Sequence, residues 1–282
     1  MRRIEDRRPE LELRSFGRRR GRKFSARQER LVRERLPSLS LDLSDPPPEP
    51  LTDLFSEAAR SRRASRLPIA TASPASPAGL LPMAASHGEP DAVPRSKGPP
   101  EGVGTPVREV WLEIGFGGAE HMIWQASRHP EIGIIGCEPF GEGVAKALSA
   151  LEEQGRHNVL IHPDDVRPVL RWMPAASLGR VFILFPDPWP KKRHVKRRLV
   201  AGPLLGLLAG AMKPGAELRI ATDVGDYART ILAGVLGHCA FRWPAASPAD
   251  WRERGPDWPQ TRYEKKALEE GRHRYYFRFI RA

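Results

Sequence analysis

The stretch VREVWLEIGFGGAEHMIWQASR (Val107–Arg128) hands a strand to a helix through a glycine-rich turn. Val107–Ile114 carries the β-branched and aromatic residues of a strand, and Glu120 to Arg128 has the spacing of a helix. Between them lies Gly115-Phe116-Gly117-Gly118-Ala119. Glycines at such a junction let the backbone turn tightly and approach a ligand. Alone, this turn is common to NAD, FAD and S-adenosylmethionine (SAM) proteins.

The same alternation continues towards the C-terminus. Gly133–Cys137 reads as a second strand followed by a helix at Gly141–Gln154. Asn158–His162 is a third strand, with a short helix from Val166 to Trp172. Val181–Phe185 is the fourth. A helix over Leu199–Met212 stops at Lys213-Pro214-Gly215, and Ala216–Ala221 is the fifth strand. Tyr227–His238 is helical, and the aromatic run Arg274–Arg281 closes the chain as a late strand. Strands alternating with helices predict an α/β, doubly wound, mostly parallel sheet, with ligand sites off the carboxyl ends of the strands.

Acids stand at three successive strand ends: Glu113, Glu138 and the pair Asp164-Asp165. Glu138 follows Glu113 by 25 residues, the place from which a carboxylate accepts hydrogen bonds from ribose hydroxyls. Asp164 or Asp165 is placed to reach an adenine amine. Glu113 and Glu138 also have a structural reading, as a helix cap or a solvated strand end. A dinucleotide would bring its pyrophosphate to the helix N-terminus, where Glu113 and Glu120 repel it. A sulfonium cation tolerates those acids, which favours SAM.

The fourth strand runs into Pro186-Asp187-Pro188-Trp189-Pro190. Three prolines in five residues remove ladder donors and helical freedom, so Asp187 and Trp189 sit in a stiff loop. Trp189 either stacks on a base or packs beneath the loop. Lys191, Lys192, Arg193, Lys196, Arg197 and Arg198 follow, a run that reads as phosphate-contacting in preference to a solvated helix start. His194 and His273 lie among basic residues and read as phosphate neighbours. Thr261-Arg262-Tyr263-Glu264 precedes a short helix, with Thr261 as N-cap and Glu264 closing a capping box.

Upstream, residues 1–40 form a basic arm, centred on Arg18-Arg19-Arg20-Gly21-Arg22-Lys23. Ser25 would N-cap a short helix to Leu36, with an apolar face through Leu31, Val32 and Leu36. The arm reads as a nucleic-acid-binding segment that orders on its target, or as a solvated tail. Residues 41–106 hold thirteen prolines and much Ser and Ala, the composition of a linker or insert without a fixed fold. That leaves 107–282 as one domain, about 180 residues and enough for a single α/β core.

The net charge of +12 points to nucleic acid as partner. No apolar run reaches membrane-spanning length, and the N-terminus lacks the apolar core of a secretory signal. Two cysteines, Cys137 and Cys239, make no metal pattern and give no reason for a disulfide. No His, Cys and acid cluster has metal-ligand spacing, so no metal is expected. The expectation is a cytoplasmic protein with no membrane association and no obligate protein partner; its oligomeric state is not legible.

EIGFGGAEH (Glu113–His121), GCEPF (Gly136–Phe140), FPDPWPKKRHVKRRL (Phe185–Leu199), ATDVGDYA (Ala221–Ala228) and TRYEKKALEEG (Thr261–Gly271) together resemble the bacterial tRNA (guanine-N7)-methyltransferases. The resemblance spans Val107 to the C-terminus in order, and SFGRRRGRKFSARQ in the arm also looks like the start of some members. It departs at Ala119, where the family pattern usually has a third glycine. The resemblance implies the SAM-dependent methyltransferase fold, Rossmann-like with seven strands and helices on both faces, and methyl transfer from SAM to N7 of a guanine in the tRNA variable loop. It further implies that Glu113, Gly115, Gly117, Glu138, Asp165 and Asp187 serve SAM, with Asp187 catalytic. Lys191, Asp223, Thr261, Arg262, Tyr263 and Glu264 would contact the tRNA. A one-residue shift would select Asp164 in place of Asp165. A non-catalytic RNA-binding module on the same fold, and a dinucleotide-dependent oxidoreductase, are the competing readings; nothing in the chain resembles a hydride-transfer site.

Overall fold

A computed structural model describes residues 21, 23–65 and 105–282. Seven strands form one sheet in the order β3-β2-β1-β4-β5-β7-β6. They are β1 (Glu109–Ile114), β2 (Ile132–Cys137), β3 (Val159–His162), β4 (Leu178–Leu184), β5 (Met212–Thr222), β6 (Phe241–Arg242) and β7 (Tyr275–Arg281). The first five pair in parallel, and β7 inserts antiparallel between β5 and β6. This is the expected doubly wound, Rossmann-like sheet. The order reverses between β1 and β4, so the crevice for a ligand opens where the glycine turn after β1 meets the proline loop after β4.

Period-2 alternation divides the strand residues between two apolar layers. Val110, Leu112, Ile183 and Phe277 pack towards α6 (Val166–Trp172), α7 (Gly202–Ala211) and α8 (Gly225–Leu236). Trp111, Ile134, Phe182 and Tyr276 pack towards α4 (Glu120–Arg128) and α5 (Gly141–Gln154). Glu113 shares the Trp111 side and therefore faces α4.

The helix expectations at 120–128, 141–154 and 166–172 coincide with α4, α5 and α6. Others shift for local reasons. Helix α7 begins at Gly202, not Leu199, because Pro203 is tolerated only in a first turn. Strand β5 begins at Met212, which pairs with Leu178. The register then slips, so that Glu217 pairs with Arg180 after Lys213-Pro214-Gly215. The two-residue β6 and α9 (Ala249–Arg252) carry too little pattern to be read from sequence.

The largest difference lies upstream. Ser25 does cap α1 (Ala26–Glu34), its side chain accepting from the Gln28 amide while Gln28 returns the bond. The helix packs on the domain: Leu31 is buried, and Arg27 and Arg30 pair with Glu152 and Glu153 of α5. The chain continues through α2 (Leu36–Leu39) past β3, where Ser40 bridges Ile161. Leu41, Leu51 and Phe55 then enter the opposite apolar layer, ahead of α3 (Glu57–Ala64). A Cβ on Gly133 would stand 2.3 Å from the Phe55 ring, so only glycine admits this contact. The expectation of no fixed fold from residue 41 is corrected for 41–65. Proline content averaged over the segment concealed three well-spaced anchors. The rest of the expected linker, 66–104, and most of the basic cluster at 18–23 lie outside the described residues.

Candidate active site

A cleft of about 630 Å³ lies over the carboxyl ends of β1, β2, β3 and β4. Its wall includes Glu113, the turn from Gly115 to Gly118, Glu138, Asp164, Asp165, Asp187, Trp189, Thr261 and Tyr263. Gly115 (φ 75°) and Gly117 (φ 52°) take the left-handed backbone that the turn demands. Ala119 does too, at φ 65°. Ala119 thus holds, with a buried methyl group, the left-handed geometry that glycine adopts most readily.

Glu138 is fixed from two sides. Its Oε2 accepts from the Gly117 amide at 2.8 Å, and Oε1 from the Phe140 amide at 2.9 Å. Burial pushes its carboxyl above the usual range; the two amide bonds oppose that shift, and the negative charges of Asp187 and Glu113 add to it. Glu113, also buried, lies 2.6 Å through Oε2 from His121 Nδ1. Asp165 caps α6, accepting from the Arg167 amide and pairing with the Arg167 guanidinium at 2.8 Å. Asp164 is the more exposed of the two and accepts from the Asp165 amide. Both line the cleft.

Across the cleft, Phe185 (φ 50°) and Trp189 (φ 43°) hold left-handed backbone, and each directly precedes a proline. Bulky residues in that region signal a constrained loop. Asp187 projects from the loop and is exposed. Trp189 is half-buried, with His194 edge-on at 5.7 Å and the Arg197 guanidinium over its ring at 5.0 Å. Trp189 thus packs on the basic run with one part of its side chain while another part lines the cleft.

Sequence reasoning treated Lys191 to Arg198 as one phosphate-binding run. The structure divides it. Lys191, Lys192, Arg193 and Lys196 are exposed, but Arg198 is only 5% exposed and turns inward. It donates to the Pro188 carbonyl at 3.0 Å and to Thr230 Oγ1 at 2.6 Å, and pairs with Asp226 on α8. Arg198 therefore clips the proline loop to α8. The one available signal was its place immediately before the apolar Leu199-Val200.

Thr261 caps α10 (Arg262–Glu269) through the Glu264 amide, as expected. Tyr263 is 57% exposed at the cleft mouth, and Arg262 is anchored to Glu120, which receives its amide at 2.9 Å. Two further expected substrate contacts lie outside the cleft wall, as Lys191 and Arg262 also do. Glu264 is 4% exposed and outside the cleft wall; it accepts from Tyr276 at 2.6 Å and pairs with Arg254 at 3.0 Å, so it supports α10 from beneath. It does not close the capping box. Asp223 also lies outside the cleft wall, paired with Arg272.

Comparison with known proteins bears on this geometry. Residues 107–277 match a family described as a putative methyltransferase. The chain is 41% identical to a tRNA (guanine-N(7)-)-methyltransferase of Rhodospirillum rubrum, over 97% of this chain and 89% of that one. A protein of the same description from Chelativorans sp. is 37% identical over 99% of this chain and its own full length. Another from Hyphomonas neptunium is 57% identical over 56% of this chain and 72% of its own. Among solved structures, an antibiotic-related methyltransferase aligns at TM-score 0.42 and 22% identity, covering 61% of this chain and 87% of that one. TrmN from Thermus thermophilus aligns at TM-score 0.44 and 14% identity, covering 62% and 44%.

Proposed function

Because the chain belongs to the tRNA (guanine-N7)-methyltransferases, we propose that its cleft takes SAM and transfers the methyl group to N7 of a guanine in the tRNA variable loop. The observation that carries this reading is the meeting of Glu113, Glu138 and Asp187 in one cleft beside an exposed basic run.

The residues fit the donor. The cleft has the size of a cofactor site. Glu138, buried and immobilised by two amides, presents fixed acceptor lone pairs to the ribose hydroxyls. Asp165 or its neighbour Asp164 faces the adenine amine, and Glu113 offers negative charge to the cationic end. Gly115 and Gly117 let the backbone approach. SAM, when bound, supplies a methyl group on an electrophilic sulfonium. Asp187 then holds the guanine by its N1–H and 2-amino edge. Lys191, Lys192, Arg193 and Lys196 position phosphates, with Thr261, Arg262 and Tyr263 at the mouth. Glu264 and Asp223 act through α10 and Arg272 rather than by contact. The setting proposed is the cytoplasm; no described helix is long and apolar enough to cross a membrane.

The test is incubation with methyl-labelled SAM and unmodified tRNA, followed by cleavage mapping of 7-methylguanine. Label at a variable-loop guanine is the expected result. Label in another base or arm would overturn the substrate.

Glu138 also gives a pH dependence. The ribose contact uses the carboxylate, whereas burial favours the protonated acid. SAM affinity therefore falls as the pH drops, and the fall begins above the ordinary glutamate value of about 4.3. Below the raised midpoint of Glu138 the loss approaches about tenfold per pH unit. Titration calorimetry with the pH lowered stepwise from neutral should show the fall in the wild type and lose it in Glu138→Gln. A Glu138→Gln protein with the wild-type profile would assign the slope elsewhere.

A further inference from the structure

Glu113 and His121 both line the cleft, and Gln125 behind them completes a chain of buried polar groups. Glu113 and His121 are 3% and 2% exposed, and Gln125 is fully buried. His121 Nδ1 lies 2.6 Å from Glu113 Oε2, and Nε2 lies 3.1 Å from Gln125 Nε2. The same Gln125 nitrogen donates to the Asp257 main-chain carbonyl at 2.9 Å.

These contacts determine where the protons are. The Asp257 carbonyl only accepts, so Gln125 must turn its NH2 end towards it; the flipped amide would face one oxygen with another. Gln125 Oε1 finds no hydrogen bond among the described residues, so it does not set the orientation. An NH2 group facing His121 Nε2 requires a lone pair there. The imidazole is then neutral, with its single proton on Nδ1 directed at Glu113.

We propose that His121 and Gln125 are positioning residues that give Glu113 a neutral hydrogen-bond donor in place of a cation. Glu113 is thereby fixed in direction while its negative charge is left for the cationic end of the donor. This rests on the reading that the cleft takes SAM. The arrangement also reaches the tRNA side. Asp257 lies in the loop leading to Thr261 and Tyr263, and its carboxylate grips Arg219 of β5 at 2.6 Å. The donor-side acid and the cleft-mouth helix are therefore registered through one amide.

The test combines a spectrum with two variants. Nitrogen-15 NMR of the wild-type protein should show the His121 ring neutral and protonated on Nδ1. Gln125→Glu replaces the NH2 donor with an acceptor, so it should convert the ring to imidazolium and raise the Kd for SAM on the order of tenfold. His121→Phe, whose ring would sit among Phe182 and Trp258 as the imidazole now does, should weaken SAM by a similar factor with the fold retained. A cationic or Nε2-protonated ring in the wild type would overturn the proposal, as would a folded Gln125→Glu protein binding SAM within twofold of wild type. Should that variant fail to fold, the wild-type spectrum and His121→Phe decide. A wild-type chain that binds no SAM would sink the methyltransferase reading instead, and the ring spectrum would still judge the hydrogen-bond chain.

Discussion

Asp187→Asn should lower turnover by about a hundredfold to a thousandfold while changing SAM affinity by less than about tenfold. Guanine N7 carries a free lone pair, so its methylation removes no proton and needs no base at the attacking atom. What the reaction does create is positive charge on the guanine ring. A carboxylate at the ring's polar edge gains attraction as that charge grows, and so favours the transition state over the bound substrate. It also becomes a better acceptor for N1–H and the 2-amino group as these acidify. Asparagine keeps the shape and loses the charge. The loop makes the effect large because Asp187 lies between two constrained residues, Phe185 and Trp189, and does not have to be ordered at each turnover. Single-turnover rates with saturating tRNA, beside calorimetric SAM affinities, separate the outcomes. Turnover near wild type would remove the electrostatic role, and a drop confined to SAM affinity would make Asp187 a donor-binding residue only.

The second large effect is expected far from the reacting atoms. Arg198→Ala should cost about 2–4 kcal/mol of stability and reduce turnover about tenfold or more. The buried guanidinium joins the Pro188 carbonyl, Thr230 and Asp226, and lies over the Tyr227 ring at 5.0 Å. Its removal releases the proline loop from α8 and opens a gap beside Tyr227, whose hydroxyl burial pushes up to about 12. Lysine can satisfy one of these partners but not the planar fork, so Arg198→Lys should recover only part of the loss. Denaturant unfolding with parallel kinetics checks both numbers. If Arg198→Ala keeps full turnover in the folded fraction, the loop does not depend on this clip.

Much of the site was legible because it follows from topology. In an open α/β sheet, ligands sit off the carboxyl ends of the strands, so Glu113, Glu138 and Asp187 could be named once the strands were. Helices α5 and α6 were equally readable from their apolar faces, and α4 was readable despite two polar residues on its buried side. Arg198, Glu264 and Asp223 were not. Each looks like its charged neighbours, and its direction is decided by partners in other elements: Asp226, Tyr276 and Arg272. His121 and Gln125 carried a faint signal, polar residues four apart on the buried side of a helix. Leu41, Leu51 and Phe55 were hidden for a related reason, because three anchors suffice to order a segment whose average composition argues against it.

The path of the upstream segment has a consequence for how the sheet meets other molecules. An open sheet ends in strands with unpaired backbone groups, which invite pairing with another chain. Here one such border, β3, is covered by Ser40 and Leu41, the latter donating its amide to the Ile161 carbonyl at 3.2 Å. The opposite border, β6, is only two residues long. A chain cut back to Val107 would keep every cleft residue named above and lose that cover, leaving β3 open beside the empty sockets of Leu31 and Phe55. Its characteristic failure would be self-association through the sheet rather than a missing catalytic group.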